Sequence, residues 1–323
     1  MLTINEKPKR ILPSWIWEQL KELDFTSIYD PFTGIAPFGI FLKHKGKQIL
    51  ASDMLQCYYW WNKAFIENNN IKLSPELQKT INNQEKDSNI TNIFGAWKDQ
   101  YFTEDEVNWL SSWFYNINSL NLKDEERSLA YAAVYLVISY WLSYNRKHLS
   151  YPKPMSPYEI LNYYFSFVNN LVFDNKLTNT VYFSDAYSMV SQLPTDLIFI
   201  YPPTPEGFRN YDLRYYLWEC WTRQATQLNM EELITYDNRP KLGQTFNSLE
   251  DYLQALNYFL ELAQGNHIWV IAYNDQSLLD RDSLLNIVQR HRKVWHEAET
   301  FIPYPTAVGT SVVKEGLIIG IAE

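Results

Sequence analysis

The stretch Asp196-Leu-Ile-Phe-Ile-Tyr201-Pro202-Pro203-Thr204 constrains the fold of this chain more than any other. Leu197 to Ile200 is a short, wholly apolar run of the kind that forms a strand buried on both faces. Pro202 and Pro203 have no amide hydrogen to give to a sheet ladder, so the strand must stop at Tyr201. A buried strand that ends in a rigid bend mounts a loop at the carboxyl edge of a parallel sheet, where open α/β folds hold their ligands.

The first part of the chain has the same grammar. Ile11 to Leu23 reads as an amphipathic helix. Ser27-Ile-Tyr29 reads as a strand ending at Asp30, followed by the turn Asp30-Pro-Phe-Thr-Gly34-Ile-Ala36-Pro-Phe-Gly39 and a helix through Leu42. Lys47 to Ser52 is a second strand, ending at Asp53, and Met54 to Asn68 is another helix. Strand, glycine turn, helix, strand and acid make up the opening unit of a doubly wound nucleotide-binding sheet. Helical periodicity then dominates, over Glu104–Ile117, Asp124–Tyr144 and Tyr158–Val172, with Asn82 to Asn92 as a polar loop and Pro152, Pro154 and Pro157 separating the last two helices. Strand signals resume at Thr180–Phe183, Asp196–Ile200, His267–Tyr273, Lys293–Phe301 and Gly316–Ala322. The expected fold is α/β, a doubly wound and mostly parallel sheet formed by residues 1–69 and 175–323, with an α-helical insertion at 70–174 that serves target recognition or partner docking.

Composition narrows the function. Apolar residues make up 46% of the 323, enough for a core and too much for a disordered chain. Two cysteines, Cys57 and Cys220, form no disulfide framework, and a polar start followed by a Trp-bearing helix has no signal-peptide character, so a cytoplasmic setting is expected. The apolar run Leu129–Leu142 is too short to span a bilayer and reads as a buried helix. A net charge of −9 argues against strong non-specific binding to nucleic acid, though not against a local basic groove. Arg281, Arg290, Arg292 and Lys293 are either phosphate contacts or the cations of a solvated helix end. No His, Cys and acid cluster has metal-ligand spacing.

Three acids close strands: Asp30, Asp53 and Asp185, the last in Tyr182-Phe-Ser-Asp185-Ala186. Asp53 could accept hydrogen bonds from ribose hydroxyls or cap the helix after it; Asp185 could accept from an adenine amino group or likewise act as a cap. All three would face the carboxyl edge of one sheet. Tyr58-Tyr-Trp60-Trp61 is the densest aromatic cluster, either packing its helix on the sheet or facing a partner.

In order and spacing these stretches resemble the DNA adenine-N6 methyltransferases of the Dam-like class, over nearly the whole chain. Lys9-Arg10-Ile-Leu-Pro13 resembles the family's N-terminal motif, and Asp30-Pro-Phe-Thr-Gly34 its S-adenosylmethionine loop, with Ala36 where its last glycine stands. Ser52-Asp53-Met54 and Ala64 to Asn68 resemble the ribose-binding acid and its helix; Asp99 to Leu142 resembles an insert of one branch; Tyr211 to Trp218 resembles the helix after the catalytic loop. Arg239-Pro240-Lys241, Ala272-Tyr273-Asn274-Asp275 and Val313-Lys314-Glu315 to Ile319 resemble later landmarks. The resemblance implies a Rossmann-like methyltransferase fold. It implies S-adenosyl-L-methionine as cofactor, held by Asp30, Phe32, Gly34, Asp53, Asp185 and Ala186, and DNA as partner, with no metal and no membrane.

The family's catalytic motif reads Asp-Pro-Pro-Tyr; here it reads Tyr201-Pro202-Pro203-Thr204. The resemblance makes these four the catalytic residues: the motif's acid and the first proline's carbonyl hold the hydrogens of an exocyclic amine, and its aromatic stacks on the flipped base. Tyr201 offers a neutral phenol and Thr204 cannot stack. Phe208, Tyr211 and Tyr215 are alternative stacking partners, and Glu206 and Asp212 the nearest acids. The sequence leaves three readings open. One is an adenine-specific DNA methyltransferase, another a methyltransferase redirected to RNA or a small molecule. The third is an inactive pseudo-methyltransferase, a DNA-binding or partner subunit of a restriction-modification or defence assembly, docking through the helical insertion.

Overall fold

The computed structural model describes residues 6–84, 90, 92–145, 155–205, 213–233, 241–275, 280–306 and 309–322. They form two compact units. One comprises 5–54, 175–211 and 229–323, and the other 55–174 and 212–228 together with the first four residues.

The first unit is an α/β layer built on a seven-stranded sheet. Its strands are β1 (Ser27–Asp30), β2 (Gln48–Asp53), β3 (Thr180–Phe183), β4 (Leu197–Ile200), β5 (Ile268–Asn274), β6 (Lys293–Thr306) and β7 (Gly309–Ile321). Their order is β3-β2-β1-β4-β5-β7-β6. β1 to β5 run parallel; β7 is antiparallel to both β5 and β6. This is the expected doubly wound, mostly parallel sheet of Rossmann-like methyltransferase type. β4 and β5 are buried almost throughout because helices cover both faces of a parallel sheet. Tyr29, Ile198, Ile200, Phe259, Trp269, Ile271 and Ile318 belong to one continuous core, against which the helix Leu249–Leu262 lays its apolar stripe.

Two register features set the position of the loops. Asp196 Oδ2 accepts from the amides and hydroxyls of both Thr26 and Ser27, which pins β4 beside β1 at the sheet's amino edge. At the other edge, Gly316 lies under the ring of its cross-strand partner Tyr273, where an added Cβ would come within 2.1 Å of the ring. The β6–β7 hairpin is longer than the sequence suggests. Pro303 and Pro305 fall inside β6, which is tolerated because β6 is the edge strand.

The second unit is helical. Its long helices are Glu104–Ser119, Asp124–Asn145 and Pro157–Leu171, the first and third opened by capping boxes at Thr103 and Ser156. The run Leu129–Leu142 is a buried helix, as expected, and no helix among the described residues is long and apolar enough to cross a membrane. The Tyr58–Trp61 cluster packs within this unit: Trp61 meets Tyr135 and Trp218 edge to face, and Tyr135 stacks on Trp218 with centroids 4.0 Å apart. Glu219, fully buried, accepts from the amides of Gln56 and Cys57 and from Arg223 Nε, which holds the start of helix Gln56–Asn62.

Candidate functional site

Five parallel strands deliver their carboxyl ends to one edge, and the chain reverses its winding between β1 and β4. From β1 it steps outward to β2 and β3; from β4 it steps the other way to β5. Open α/β sheets hold their ligands at such a switch point.

Asp30 ends β1 and is 4% exposed. The turn after it is tied to the end of β2. Thr33 Oγ1 donates to the Ser52 carbonyl at 2.5 Å, Tyr29 and Ser52 share a hydroxyl hydrogen bond of 2.7 Å, and Gly34 N–H donates to Asp53 Oδ2 at 3.0 Å. Gly34 has φ 52° and Ala36 has φ 47°. The position where the family pattern carries glycine is therefore left-handed here too. Ala36 accepts that geometry at a cost of about 1–2 kcal/mol. Burial, and after it the charge of Asp53, pushes the Asp30 carboxyl up to about 8, with the Phe32 N–H partly offsetting both. A buried acid held proton-bound in this way, with no cation paired to it among the described residues, fits a cationic ligand group.

The structure shows which of the other two acids caps a helix. Asp53 is no helix cap: the next helix is Gln56–Asn62, preceded by Leu55, and Asp53 instead accepts from the loop at Gly34. Asp185 does cap a helix, Ala186–Met189, with Oδ1 accepting from Tyr187 N–H at 3.1 Å, while its Oδ2 accepts from Lys241 Nζ at 2.8 Å. Ser184 N–H donates to the Asp53 carbonyl, joining the ends of β2 and β3. The charges of Asp30, Asp185 and Asp53 all act on the buried Tyr29 hydroxyl, whose pKa is raised first by burial and then by these carboxylates. The ends of β1, β2 and β3 are neighbours in the sheet, which sets Asp30, Asp53 and Asp185 along one edge. Phe32 packs against Phe259 with centroids 5.1 Å apart, and Ala186 is buried in the same core.

The candidate catalytic loop leaves β4 at Tyr201. Tyr201 is half-buried, Pro202 buried, Pro203 half-buried and Thr204 exposed. The carbonyls of Pro203 and Pro205 accept from Tyr252 Oη and Phe246 N–H, at 3.1 and 2.8 Å. These two bonds fix the loop's path, and no described group donates to the Pro202 carbonyl between them. The Tyr201 hydroxyl donates to Glu315 Oε2 at 2.9 Å and accepts from Asn274 Nδ2 at 2.7 Å. Sequence reasoning looked for a replacement acid at Glu206 and Asp212, which lie outside the described residues together with Phe208, Tyr211, Arg239 and Pro240. It missed Glu315. No spacing in the sequence announces it; it shows only in the antiparallel register, which sets Asn274 opposite Glu315.

Two cations of the basic run are engaged within the protein. Arg292 lies over Trp269 and donates to the carbonyls of Gln264 and Asn266, and Arg281 pairs with Asp282 and Glu297. A depression of about 800 Å³ between helices Leu249–Leu262 and Arg281–Val288 includes Arg290 in its wall, but none of the candidate site residues line it. Among the described residues no group of His, Cys, Asp and Glu could hold a metal ion.

Fold and carboxylate-lined edge together define an open, doubly wound α/β sheet of the Rossmann-like class. Within that class the chain resembles the Type II methyltransferase M2.HphI of Haemophilus parahaemolyticus, with 24% identity over 309 residues, 88% of this chain and 87% of that protein. The extent of this likeness agrees with the Dam-like resemblance read from the motifs. No protein-family profile matches the chain. Similar solved structures include the magnesium protoporphyrin IX methyltransferase of Synechocystis PCC 6803 with bound SAM (7% identity, 98% of this chain, 85% of that one, TM-score 0.32). Another is the rRNA methyltransferase aviRa of Streptomyces viridochromogenes (9% identity, 95% of this chain, 83% of that one, TM-score 0.33).

Proposed function

We propose that this chain is an S-adenosylmethionine-dependent methyltransferase that modifies the exocyclic amine of adenine in DNA. The observation that carries the reading is the division of labour at the switch point, with acids ending β1 and β2 and following β3 on one side and the Tyr201-Pro202-Pro203 loop after β4 at the other. The cofactor is S-adenosyl-L-methionine, which supplies an electrophilic methyl group when bound.

Asp30 offers a buried carboxylate to the cationic end of the cofactor, Asp53 holds the ribose and Asp185 the adenine amino group. Phe32, Gly34 and Ala186 shape the walls. On the acceptor side, the Pro202 carbonyl and the Tyr201 hydroxyl hold the two amine hydrogens and favour a tetrahedral nitrogen. Positioned acceptors of this kind are worth on the order of 100-fold in rate. DNA as acceptor is supported by the similarity to the type II enzyme and by the motif order.

A tritiated methyl-transfer assay on duplex DNA, single-stranded DNA and RNA, run beside a cofactor titration, tests the reading. Methyl label in DNA adenine is the expected result. Label only in RNA, or none in any nucleic acid, overturns it. The exposed Thr204 favours a second reading, since it cannot stack on a base: a subunit that binds cofactor and DNA without methylating. Cofactor binding with no transfer selects that one.

A further inference from the structure

Tyr201 stands where the Asp-Pro-Pro-Tyr pattern has its carboxylate, and its phenol is not alone. Asn274 closes β5, Glu315 faces it across the antiparallel β5–β7 pair, and both bind the Tyr201 hydroxyl. Glu315 is only 2% exposed. A carboxylate is rarely buried so completely unless it is paired or used. The hydrogen bond it accepts draws the phenolic proton away from Tyr201 Oη and raises the electron density left on that oxygen, which makes it a stronger acceptor than an isolated phenol. The fold has thus brought a carboxylate back to the motif position, through a tyrosine and from another strand.

We propose that Tyr201 and Glu315 together take the part of the missing acid, with Tyr201 Oη receiving a hydrogen of the acceptor amine and Glu315 taking up the phenolic proton. This rests on the methyltransferase reading above. In the transfer step the amine nitrogen gives its lone pair to the methyl carbon as the sulfur–carbon bond breaks, and that bonding pair stays on sulfur, leaving a neutral thioether. The methylated nitrogen then carries one positive charge. It loses one proton to Tyr201 Oη, and Tyr201 passes its own proton to Glu315 Oε2. Once the methylated base has left, Glu315 returns the proton to Tyr201 Oη, which gives its own to water entering the acceptor side. Tyr201 is the catalytic residue of this pair. Glu315 and Asn274 act through it and are positioning residues.

A double-mutant cycle on the full chain tests the proposal. Tyr201→Phe removes the hydroxyl, and Glu315→Gln keeps the shape and loses the charge. Each single variant should lower kcat for adenine methylation at least 10-fold while the Kd for S-adenosylmethionine stays within twofold, which also reports that the sheet is intact. The double variant should be no slower than Tyr201→Phe. Tyr201→Asp should retain activity and become indifferent to Glu315→Gln. If Glu315→Gln leaves kcat within twofold, or the two losses multiply, the pair is overturned while the methyltransferase reading stands. A wild-type protein that binds S-adenosylmethionine but methylates no adenine overturns both.

Discussion

Lys241 Nζ donates to Asp185 Oδ2 at 2.8 Å, with the lysine side chain 9% exposed and the acid 26%. The other carboxylate oxygen already accepts from Tyr187 N–H. An adenine amino group that approaches Asp185 therefore competes with an ammonium. Lys241→Met should tighten S-adenosylmethionine binding by roughly 5-fold, and Asp185→Asn should weaken it by about 10-fold, the scale of one hydrogen bond to a charged group. Lys241→Met should also lower the melting temperature of the ligand-free protein, since it leaves a partly buried carboxylate unpaired. Calorimetric titration and thermal melts of both variants check this; weaker binding by Lys241→Met would make the lysine part of the cofactor site.

In the proposed cofactor site, Asp30 links ligand binding to protons. With its pKa near 8 it is mostly protonated at pH 7, whereas a cation beside it favours the carboxylate. Binding of S-adenosylmethionine at pH 7 should release close to one proton, so the binding enthalpy measured in phosphate and in Tris should differ by about the difference in buffer ionisation heats. The sign for stability follows from the same shift. Between the ordinary carboxylate value of about 4 and the folded value near 8, the folded state keeps a proton that the unfolded state has lost, so stability falls as pH rises through that window and levels off above it. In Asp30→Asn this decline should be absent from urea midpoints measured at pH 5 and pH 8.5, and the heat difference between buffers should vanish.

Much of this edge was legible in the chain. Short apolar runs followed by acids give β1, β2 and the strand before Asp185, and β4 and β5, buried on both faces, have no alternation to blur them. The diproline marks the end of β4 for the simple reason that proline cannot extend a ladder. What stayed hidden depends on register. Tyr201 and Glu315 are 114 residues apart, and Asp185 and Lys241 are 56 apart; neither pair has a spacing that announces it. Asp53 read equally well as a cap because the sequence does not reveal that its helix starts only at Gln56. The prolines of β6 suggested a shorter strand, since an edge position, where they are harmless, is a property of the assembled sheet.

Gly316 shows how the sheet protects the Tyr201 contact. The ring of Tyr273 lies on its backbone, and Tyr273 Oη donates to Glu299 Oε1 at 3.1 Å. Gly316→Ala puts a methyl group into the ring, which belongs to the rigid core, so the strand pair must shift. We expect a loss of about 1–3 kcal/mol in stability, as for other overpacked sites, read from urea denaturation. Because Asn274 and Glu315 are the next residues along the same two strands, methyl-transfer activity should fall more than the folded fraction does. Equal losses of fold and activity would mean that the hydrogen bonds to Tyr201 survive the shift.

At the opposite edge, Asp196 sets the acid limit of the fold. Partial burial alone would raise its carboxyl pKa, but hydrogen bonds from the amides and hydroxyls of Thr26 and Ser27 outweigh it and bring the value down to about 2. A carboxyl depressed in the folded state contributes stability that is complete above its unfolded value near 4 and disappears as pH falls through the folded value near 2. The group is partly open to water, so the contribution is screened and smaller than the shift alone implies. Asp196→Asn should destabilise the protein at pH 7 and flatten the fall in stability between pH 4 and pH 2.5. Circular dichroism melts across that range check it, and a wild-type slope unchanged in the variant would assign the acid sensitivity to other carboxylates. Cofactor affinity at pH 7 should be unaffected, because Asp196 holds β4 to β1 at the amino edge and the ligand edge lies at the other end of the same strands.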